Sequence, residues 1–238
     1  MKPNLAGKHV LVTGAGGCLG RSLTAACTEA GATVSAFTRT RPSGPEVRHS
    51  ASPDLTDPTS VSRALAELEA HCGPADALIH AAATNTDRLM ARQTPDSWSE
   101  TWDSSVKAAF LCSQAVLPGF FRQGSGTILY IGSLAAVRPQ PGQCAYAASK
   151  GALESFTRAQ ARELAPKQIR INCLAPGFID SPRVRDLPQD RQDHIQSLIP
   201  LGRWAKPEEV AAWAVFLLSP VSAYLTGQTI HLDGGASI

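Results

Sequence analysis

Apolar residues in this chain come in short unbroken runs, set apart by longer stretches where they recur at helical spacing. His9-Val10-Leu11-Val12 reads as a buried strand, followed by a glycine-rich turn and a helix to about Ala30. Gly31 ends that helix, and Ala32 to Phe37 gives a second strand. The same reading predicts a helix over Val61 to His71, a strand over Ala77 to His80 and one long helix over Trp98 to Phe121. It continues with a strand at Thr127 to Ile131, a long helix at Ala145 to Leu164 and a strand at Ile169 to Leu174. Pro207 to Leu218 is a helix with proline at its start, and Thr229 to Leu232 is the last strand. No linker, low-complexity stretch or internal repeat interrupts the series, so residues 1–238 are expected to form one domain.

Short apolar strands alternating with amphipathic helices imply the α/β class: a single doubly wound parallel sheet with helices on both faces. Such sheets bind ligands beyond the carboxyl ends of their strands. Thr13-Gly14, His80 to Ala83, Ser133 and Pro176-Gly177 all fall at predicted strand ends. One rim of the sheet is therefore the expected site.

Composition narrows the class. The chain has 238 residues, 43% hydrophobic and 18% charged, as expected of a soluble globular protein. A formal charge of +2 argues against a dedicated nucleic-acid binder. No uncharged apolar run approaches the roughly 20 residues of a membrane span. Met1 to Lys8 is polar and leads straight into a strand, unlike a secretory signal. The six cysteines, at 18, 27, 72, 112, 144 and 173, form no C-x-x-C pair and no zinc-ligand spacing. They read as small buried hydrophobes in a reducing compartment, and the expected location is cytoplasmic. Cys18 and Cys144 lie near the motifs described next.

Tyr146 and Lys150 are four residues apart, which on a helix places phenol and ammonium on one face. A neighbouring ammonium favours the phenolate and suits a general acid/base for an alcohol or ketone. Ser133 follows the strand at Thr127 to Ile131. At the other end of the rim, Thr13-Gly14-Ala15-Gly16-Gly17-Cys18-Leu19-Gly20 joins the first strand to a helix. Small residues there permit a tight turn and close approach of a pyrophosphate, and the helix N-terminus supplies amide donors. This is a Rossmann-type nucleotide turn.

With these residues in place, the chain resembles the short-chain dehydrogenase/reductase family over nearly its whole length, in its 3-oxoacyl-carrier-protein-reductase-like branch. The family pattern is Thr-Gly-x-x-x-Gly-x-Gly, then Asn-Asn-Ala-Gly, a tetrad of Asn, Ser, Tyr and Lys, and a Pro-Gly motif. Thr13, Gly14 and Gly20 match, as do Ser133, Tyr146, Lys150 and the run from Pro176-Gly177 to Ser181. The tail from Leu225 to Gly235 also fits. Three positions depart. Cys18 replaces the middle glycine, where its Cβ and sulfur must fit beside the cofactor and the backbone must accept a non-glycine conformation. His80-Ala81-Ala82-Ala83 replaces Asn-Asn-Ala-Gly. Ser105 replaces the tetrad asparagine, which in the family helps hold a water in the proton relay behind the lysine.

The resemblance implies an NAD(P)-dependent oxidoreductase. Its cofactor would lie along Gly14, Gly16, Gly17, Cys18, Leu19, Gly20, His80, Ala81, Ala82, Tyr146, Lys150, Pro176 and Gly177. Asp54 and Leu55 would flank the adenine; Ile179 would meet the carboxamide through its backbone, and Ser181 through its hydroxyl. The second strand ends in Phe37-Thr38-Arg39-Thr40-Arg41 without the carboxylate that binds a ribose 2′-hydroxyl. Arg39 could pair with a 2′-phosphate, with Thr38 adding a hydroxyl, so NADP(H) is expected over NAD(H). Tyr146 would act as general acid, Ser133 as second donor to the carbonyl oxygen, Lys150 as partner of Tyr146 and of the nicotinamide ribose, and Ser105 as the remnant of the relay.

The resemblance also makes Asp180 to Trp204 a substrate lid, with Arg183, Arg185, Arg191 and Arg203 available to attract an acyl-carrier protein or phosphopantetheine-linked substrate. Lys167, Arg162 and Arg122 sit where carrier-protein reductases carry a docking patch. The expected activity is NADPH-dependent reduction of a 3-oxoacyl thioester or related ketone. Alternatives are an alcohol dehydrogenase running in the oxidative direction, and a nucleotide-binding sensor or scaffold that has lost catalysis. A homotetramer, or at least a homodimer, built on the long helices at 98–121 and 145–164 is implied by resemblance alone.

Overall fold

The computed structural model describes residues 3–40, 47–84 and 86–238, with the side chain of Arg183 outside the description. Seven parallel strands form one sheet in the order β3-β2-β1-β4-β5-β6-β7. They are β1 (His9–Thr13), β2 (Thr33–Phe37), β3 (His49–Ala51), β4 (Ala77–His80), β5 (Gly126–Ile131), β6 (Ile169–Pro176) and β7 (Thr229–Leu232). The helices between them are α1 (Cys18–Glu29), α2 (Pro58–Cys72), α3 (Pro95–Trp102), α4 (Ala108–Gln123), α5 (Cys144–Leu164), α6 (Pro182–Arg185), α7 (Gln189–Ser197) and α8 (Pro207–Leu218). Strand order reverses between β1 and β4, the crevice where a doubly wound sheet takes its ligand.

Both faces of the sheet are covered, which explains why its strands are apolar at nearly every position. Val10, Val12, Ile79, Leu129 and Leu174 face one layer with Leu23 and Cys27 of α1 and Val210 and Ala214 of α8. Leu11, Leu78, Ile128, Tyr130 and Ile171 face the other with Val61 and Leu65 of α2, Val116 and Phe120 of α4 and Leu153 of α5. Removing such a buried Leu or Phe side chain costs about 2–5 kcal/mol, so both layers contribute heavily to stability.

The expected helix over Trp98 to Phe121 is not one α-helix. It starts at Pro95, behind a Thr94 N-cap whose side chain accepts from the Ser97 N–H, and it passes through a π-helical stretch at Asp103–Lys107 before α4. The extra residue in that turn shifts the face that the chain presents to β4. Three elements were not expected. β3 is three residues long and pairs only with β2. The other two, α6 and α7, lie between Asp180 and Trp204, the segment expected as a lid. Among the described residues no helix is long and apolar enough to cross a membrane.

Helix α2 rests on a side-chain cap. Asp57 accepts from the N–H groups of Thr59 and Ser60 at 3.1 and 3.0 Å, with Pro58 in the first helical position. Asp57→Ala should lower stability by about 1 kcal/mol in urea unfolding. Asp57→Asn should recover most of it.

Candidate active site

The turn after β1 is shaped by backbone contacts that exclude side chains. Gly14 has φ of +72°, and a Cβ there would lie 2.8 Å from the Ala82 nitrogen. A Cβ on Gly20 would lie 2.2 Å from the Gly14 carbonyl oxygen, so the first turn of α1 seats directly on the turn that precedes it. Gly16 packs against the hydroxyls of Thr38 and Thr40, closing the turn onto the end of β2. Gly17 is the N-cap of α1 and offers no side-chain cap; the first turn carries no acidic residue. The leading amides of Cys18, Leu19 and Gly20 thus present donors and a positive dipole end, which fits an anionic pyrophosphate.

Cys18 has the non-glycine backbone expected of it. Among the described residues Gln168 is the only non-glycine with positive φ, so Cys18 occupies ordinary helical backbone as the first residue of α1. A glycine conformation is not required there. Its side chain is half-buried.

At the end of β2, Thr38 donates its hydroxyl to the Thr40 carbonyl at 2.7 Å, and Arg39 is exposed beside it. Arg41 lies outside the described residues. Asp54 is a turn residue: its carboxylate accepts from the Thr56 hydroxyl at 2.7 Å and the Thr56 N–H at 2.8 Å. Those bonds hold its carboxyl below the usual range. Leu55 is half-buried and packs on the α2 layer of the core.

The other half of the site lies at the ends of β4, β5 and β6. Lys150 is 3% exposed, and its Nζ donates to the Ile131 carbonyl at 2.8 Å. The same nitrogen lies 5.5 Å from the centroid of the Tyr146 ring. Ile131 ends β5 two residues before Ser133, so one buried amine ties α5 to the strand end that carries the serine. Ser133 has extended backbone, and its Oγ accepts from the Ala135 N–H at 3.1 Å in a single 3₁₀ turn. With one lone pair so engaged, its O–H remains free to donate. Tyr146 is half-buried in the first turn of α5. Ser105 is fully buried in the π-helical stretch.

His80 ends β4, with 1% exposure, and its Nδ1 is 3.0 Å from the Thr13 hydroxyl. That hydroxyl also accepts from the Ala82 N–H at 3.1 Å, while the Ala81 N–H bonds the Thr13 carbonyl. Burial pushes the imidazole down to about 3, and the Lys150 cation adds to the shift; the carbonyls of Ser105 and Ala82 oppose it. Beyond β6, the Gly177 N–H bonds the Leu232 carbonyl, and a Cβ on Gly177 would lie 2.7 Å from Asp233 Cα. Ile179 pairs with Ala205 in an isolated parallel bridge formed by Asp180 N to Ala205 O and Ala205 N to Phe178 O. The N–H and C=O of Ile179 itself point to the opposite edge. Ser181 is half-buried and precedes α6 without capping it through its side chain.

The lid arginines differ from expectation. Arg185 forms a two-point pair with Asp180 at 2.6 and 2.7 Å, and Arg203 pairs with Glu209 at 2.7 Å through both nitrogens. Each thus has a carboxylate of its own; Arg191 is exposed, and the Arg183 side chain lies outside the description. The Thr13 hydroxyl, which links the nucleotide turn to His80, was not foreseen as a functional group. A buried threonine at the end of a first strand was the available signal.

The depressed His80 sets a stability slope. The unfolded imidazole takes a proton near its ordinary 6.5, whereas the folded one resists until about 3. Stability from this group is therefore complete above pH 6.5 and falls as pH drops toward 3, by up to ~1.4 kcal/mol per pH unit. His9, lowered by burial, acts in the same sense. Urea unfolding from pH 7 to 5 should show this loss, and His80→Asn should make the slope shallower.

Comparison with known proteins agrees with this geometry. A family model described as enoyl-(acyl carrier protein) reductase matches residues 14–237. The 3-oxoacyl-(acyl-carrier-protein) reductase FabG of Vibrio harveyi is 35% identical over 240 residues, covering 98% of each chain. That of Thermotoga maritima is 34% identical over 244 residues, 98% of this chain and 99% of its own. Among solved structures, a gluconate 5-dehydrogenase from Burkholderia cenocepacia, in complex with NADP and tartrate, superposes with a TM-score of 0.92 at 27% identity, covering 99% of this chain and 97% of its own. A glycine-built nucleotide turn and a Ser-Tyr-Lys cluster on one rim, matched along almost the full length by these relatives, place the chain in the short-chain dehydrogenase/reductase family of NAD(P)-dependent oxidoreductases, in its FabG-like branch.

Proposed function

We propose that the chain reduces a ketone, of the 3-oxoacyl-thioester class or a related biosynthetic ketone, to a secondary alcohol with NADPH. The observation that carries the reading is the buried Lys150 Nζ, fixed to the Ile131 carbonyl beneath the Tyr146 ring and next to Ser133. The carrier-protein reductase names of its relatives support the thioester class.

The bound nicotinamide supplies the hydride, and the protein supplies orientation and electrostatics. The α1 amides and the turn from Gly14 to Gly20 would hold the pyrophosphate, together with Ala81 and Ala82. Pro176 and Gly177 shape the wall beyond β6, and the free backbone edge of Ile179, with the Ser181 hydroxyl, would bind the carboxamide. Leu55 and the backbone around Asp54 would hold the adenine. Arg39 and Thr38 sit where a ribose 2′-phosphate would lie, and Arg39 is free to form a two-point contact with it.

Tyr146 Oη gives its proton to the carbonyl oxygen as that oxygen gains charge, and the Ser133 hydroxyl donates a second hydrogen bond to it. The Ala135 N–H occupies one lone pair of the serine oxygen and leaves its hydrogen free to donate. Lys150 spends one N–H on Ile131 and keeps two, enough to hold the nicotinamide ribose and to face the Tyr146 oxygen. In the oxidative direction the same groups act in reverse, with Tyr146 as base. The solved neighbour named a dehydrogenase favours that direction as a second reading, with a hydroxy acid as substrate.

Carrier-protein docking draws less support from the lid, whose Arg185 and Arg203 are already paired. Arg162 and Lys167 lie at the far end of α5, and from Tyr146 to Leu164 the helix spans roughly 27 Å. A carrier protein bound there would need a long flexible arm to reach Tyr146 of the same protomer. The exposed aromatics Trp98, Trp102, Phe110 and Phe121 on α3 and α4 support a homodimer or homotetramer.

Tyr146→Phe should lower kcat at least a thousandfold on acetoacetyl-CoA or another accepted ketone, while NADPH binding by fluorescence titration stays within about threefold. Full turnover in that variant would end this mechanism; tight NADPH binding by the wild type with no turnover on ketones, 3-oxoacyl thioesters or hydroxy acids would favour the sensor reading. For the cofactor, kcat/KM should be at least tenfold higher with NADPH than with NADH, and Arg39→Ala should remove most of that preference by raising KM for NADPH.

A further inference from the structure

The loop from Ser133 to Tyr146 carries both hydroxyls that must meet one substrate oxygen, yet from Val137 to Cys144 no residue is buried. Its first part is a single turn. The N–H groups of Val137 and Arg138 both bond the Leu134 carbonyl, at 3.0 and 2.8 Å, directly behind the Ser133 N-cap. Farther on, the Gln143 side chain accepts from the Gln140 N–H at 2.9 Å, and α5 begins. Two bonds fasten this loop to distant parts of the chain. The Arg88 N–H donates to the Gly142 carbonyl at 2.9 Å, and the Arg138 guanidinium donates to the Ala236 carbonyl.

The second bond reaches the C-terminal tail, which is itself tightly folded. Asp233 is almost buried, and its carboxylate accepts from the Gly235 N–H at 2.9 Å and the Ser237 N–H at 3.1 Å. The Ala236 N–H bonds the Asp233 carbonyl, and Ala236 is fully buried. Gly234 and Gly235 have φ of +64° and +87°. Cβ atoms on them would lie 2.8 Å from Ile199 Cγ2 and 3.0 Å from Pro200 Cγ, and the Leu201 N–H donates to the Gly234 carbonyl at 3.1 Å. Gly177 packs on Asp233 from the other side. One turn therefore touches the chain beyond β6, the far end of the segment from Asp180 to Trp204 and, through Arg138, the loop that carries Ser133.

We propose that Arg138 and the tail from Asp233 to Ser237 form a clamp that positions the Ser133 loop for catalysis, with Arg138 and Asp233 as positioning residues. Ser133 and Tyr146 act on one oxygen only while their spacing is kept, and small misplacements at such a site are costly in rate. An exposed loop cannot keep that spacing by burial; a donor anchored on a buried turn supplies the missing constraint. Arginine suits the task, since its planar fork loses less freedom per bond than a lysine and stays charged at any working pH. A single bond at the surface adds little to global stability, so its loss is felt in the loop rather than in the fold. The catalytic part of the proposal rests on the function proposed above; the clamp does not.

Two kinds of measurement test it. Hydrogen exchange read by mass spectrometry on the full chain reports the clamp without reference to activity. In Arg138→Ala, amides of residues 134–138 should exchange roughly tenfold faster, while those of β1 and β4 keep wild-type rates. Unchanged exchange over 134–138 would overturn the clamp. Turnover of acetoacetyl-CoA, or of a ketone accepted by the wild type, reports the catalytic role. Arg138→Ala should lower kcat roughly tenfold with KM for NADPH within about twofold, and Arg138→Lys should recover part of the loss because an ammonium still donates to a carbonyl. A chain ending at Gly235 removes the acceptor instead of the donor and should lose kcat to the same degree. Combined with Arg138→Ala it should be no worse than the poorer single change, because both break one bond. Asp233→Asn, which keeps the chain whole and retains one of the two carboxylate acceptors, should lie between the wild type and the shortened chain. Multiplicative losses, or wild-type kcat in Arg138→Ala with Tyr146→Phe inactive, would overturn the positioning role. An active Tyr146→Phe would instead remove the proposed mechanism and leave the clamp to be judged by exchange.

Discussion

All seven strands run the same way, and the chemistry of the chain depends on that constraint. Parallel pairing brings every strand's carboxyl end to one rim, and register then decides which side chains become neighbours. Thr13 pairs with His80, and His80 with Tyr130, across β1, β4 and β5. The nucleotide turn therefore begins beside the residue that closes the crevice, although 67 positions separate Thr13 from His80 in sequence. The cost is that both faces of the sheet must be covered, and two apolar layers meet it.

Burial at this rim is also an electrostatic arrangement. Lys150 enters the interior held by a backbone carbonyl rather than a carboxylate. A carboxylate would neutralise it; a carbonyl dipole holds it in place and leaves its field acting on His80. His80 responds by staying neutral, since burial and the nearby cation both disfavour its charged form. Neutrality leaves one ring nitrogen able to accept, which an imidazolium could not do, and Nδ1 lies 3.0 Å from the Thr13 hydroxyl.

Much of this was legible in the chain because it is written in local patterns. Strands such as His9 to Val12 and Ile169 to Leu174 are runs of apolar residues buried on both faces, and Tyr146 and Lys150 are set by helical spacing. β3 was not legible, because His49-Ser50-Ala51 is a three-residue edge strand with a polar majority. Nor was the break in the long helix: Asp103-Ser104-Ser105-Val106-Lys107 contains neither proline nor glycine, and the π-turn there is a product of tertiary packing. The start of α1 at Cys18 was not legible for a related reason. The glycine pattern identifies a position, but where α1 begins decides its backbone angles, and the helix begins at Cys18 itself. The pairing of Arg185 with Asp180 and of Arg203 with Glu209 depends on turns that composition does not reveal.

Those two pairs bear on how the segment from Asp180 to Trp204 is held. Both are exposed, and exposed ion pairs add little to stability because water screens them and long side chains lose freedom in forming them. α7 has no fully buried residue, and Ile195 is only half-buried, so apolar burial adds little along it. The base of the lid is different: Phe178 meets Trp204 edge to face at 5.7 Å, and the Ile179–Ala205 bridge ties the two ends of the segment together. The segment is thus fixed at its base, where Ile179 is held beside Ala205, and more loosely held along α6 and α7. Sequence change along α6 and α7 need not disturb the backbone at Ile179, because the bridge that fixes it lies outside both helices.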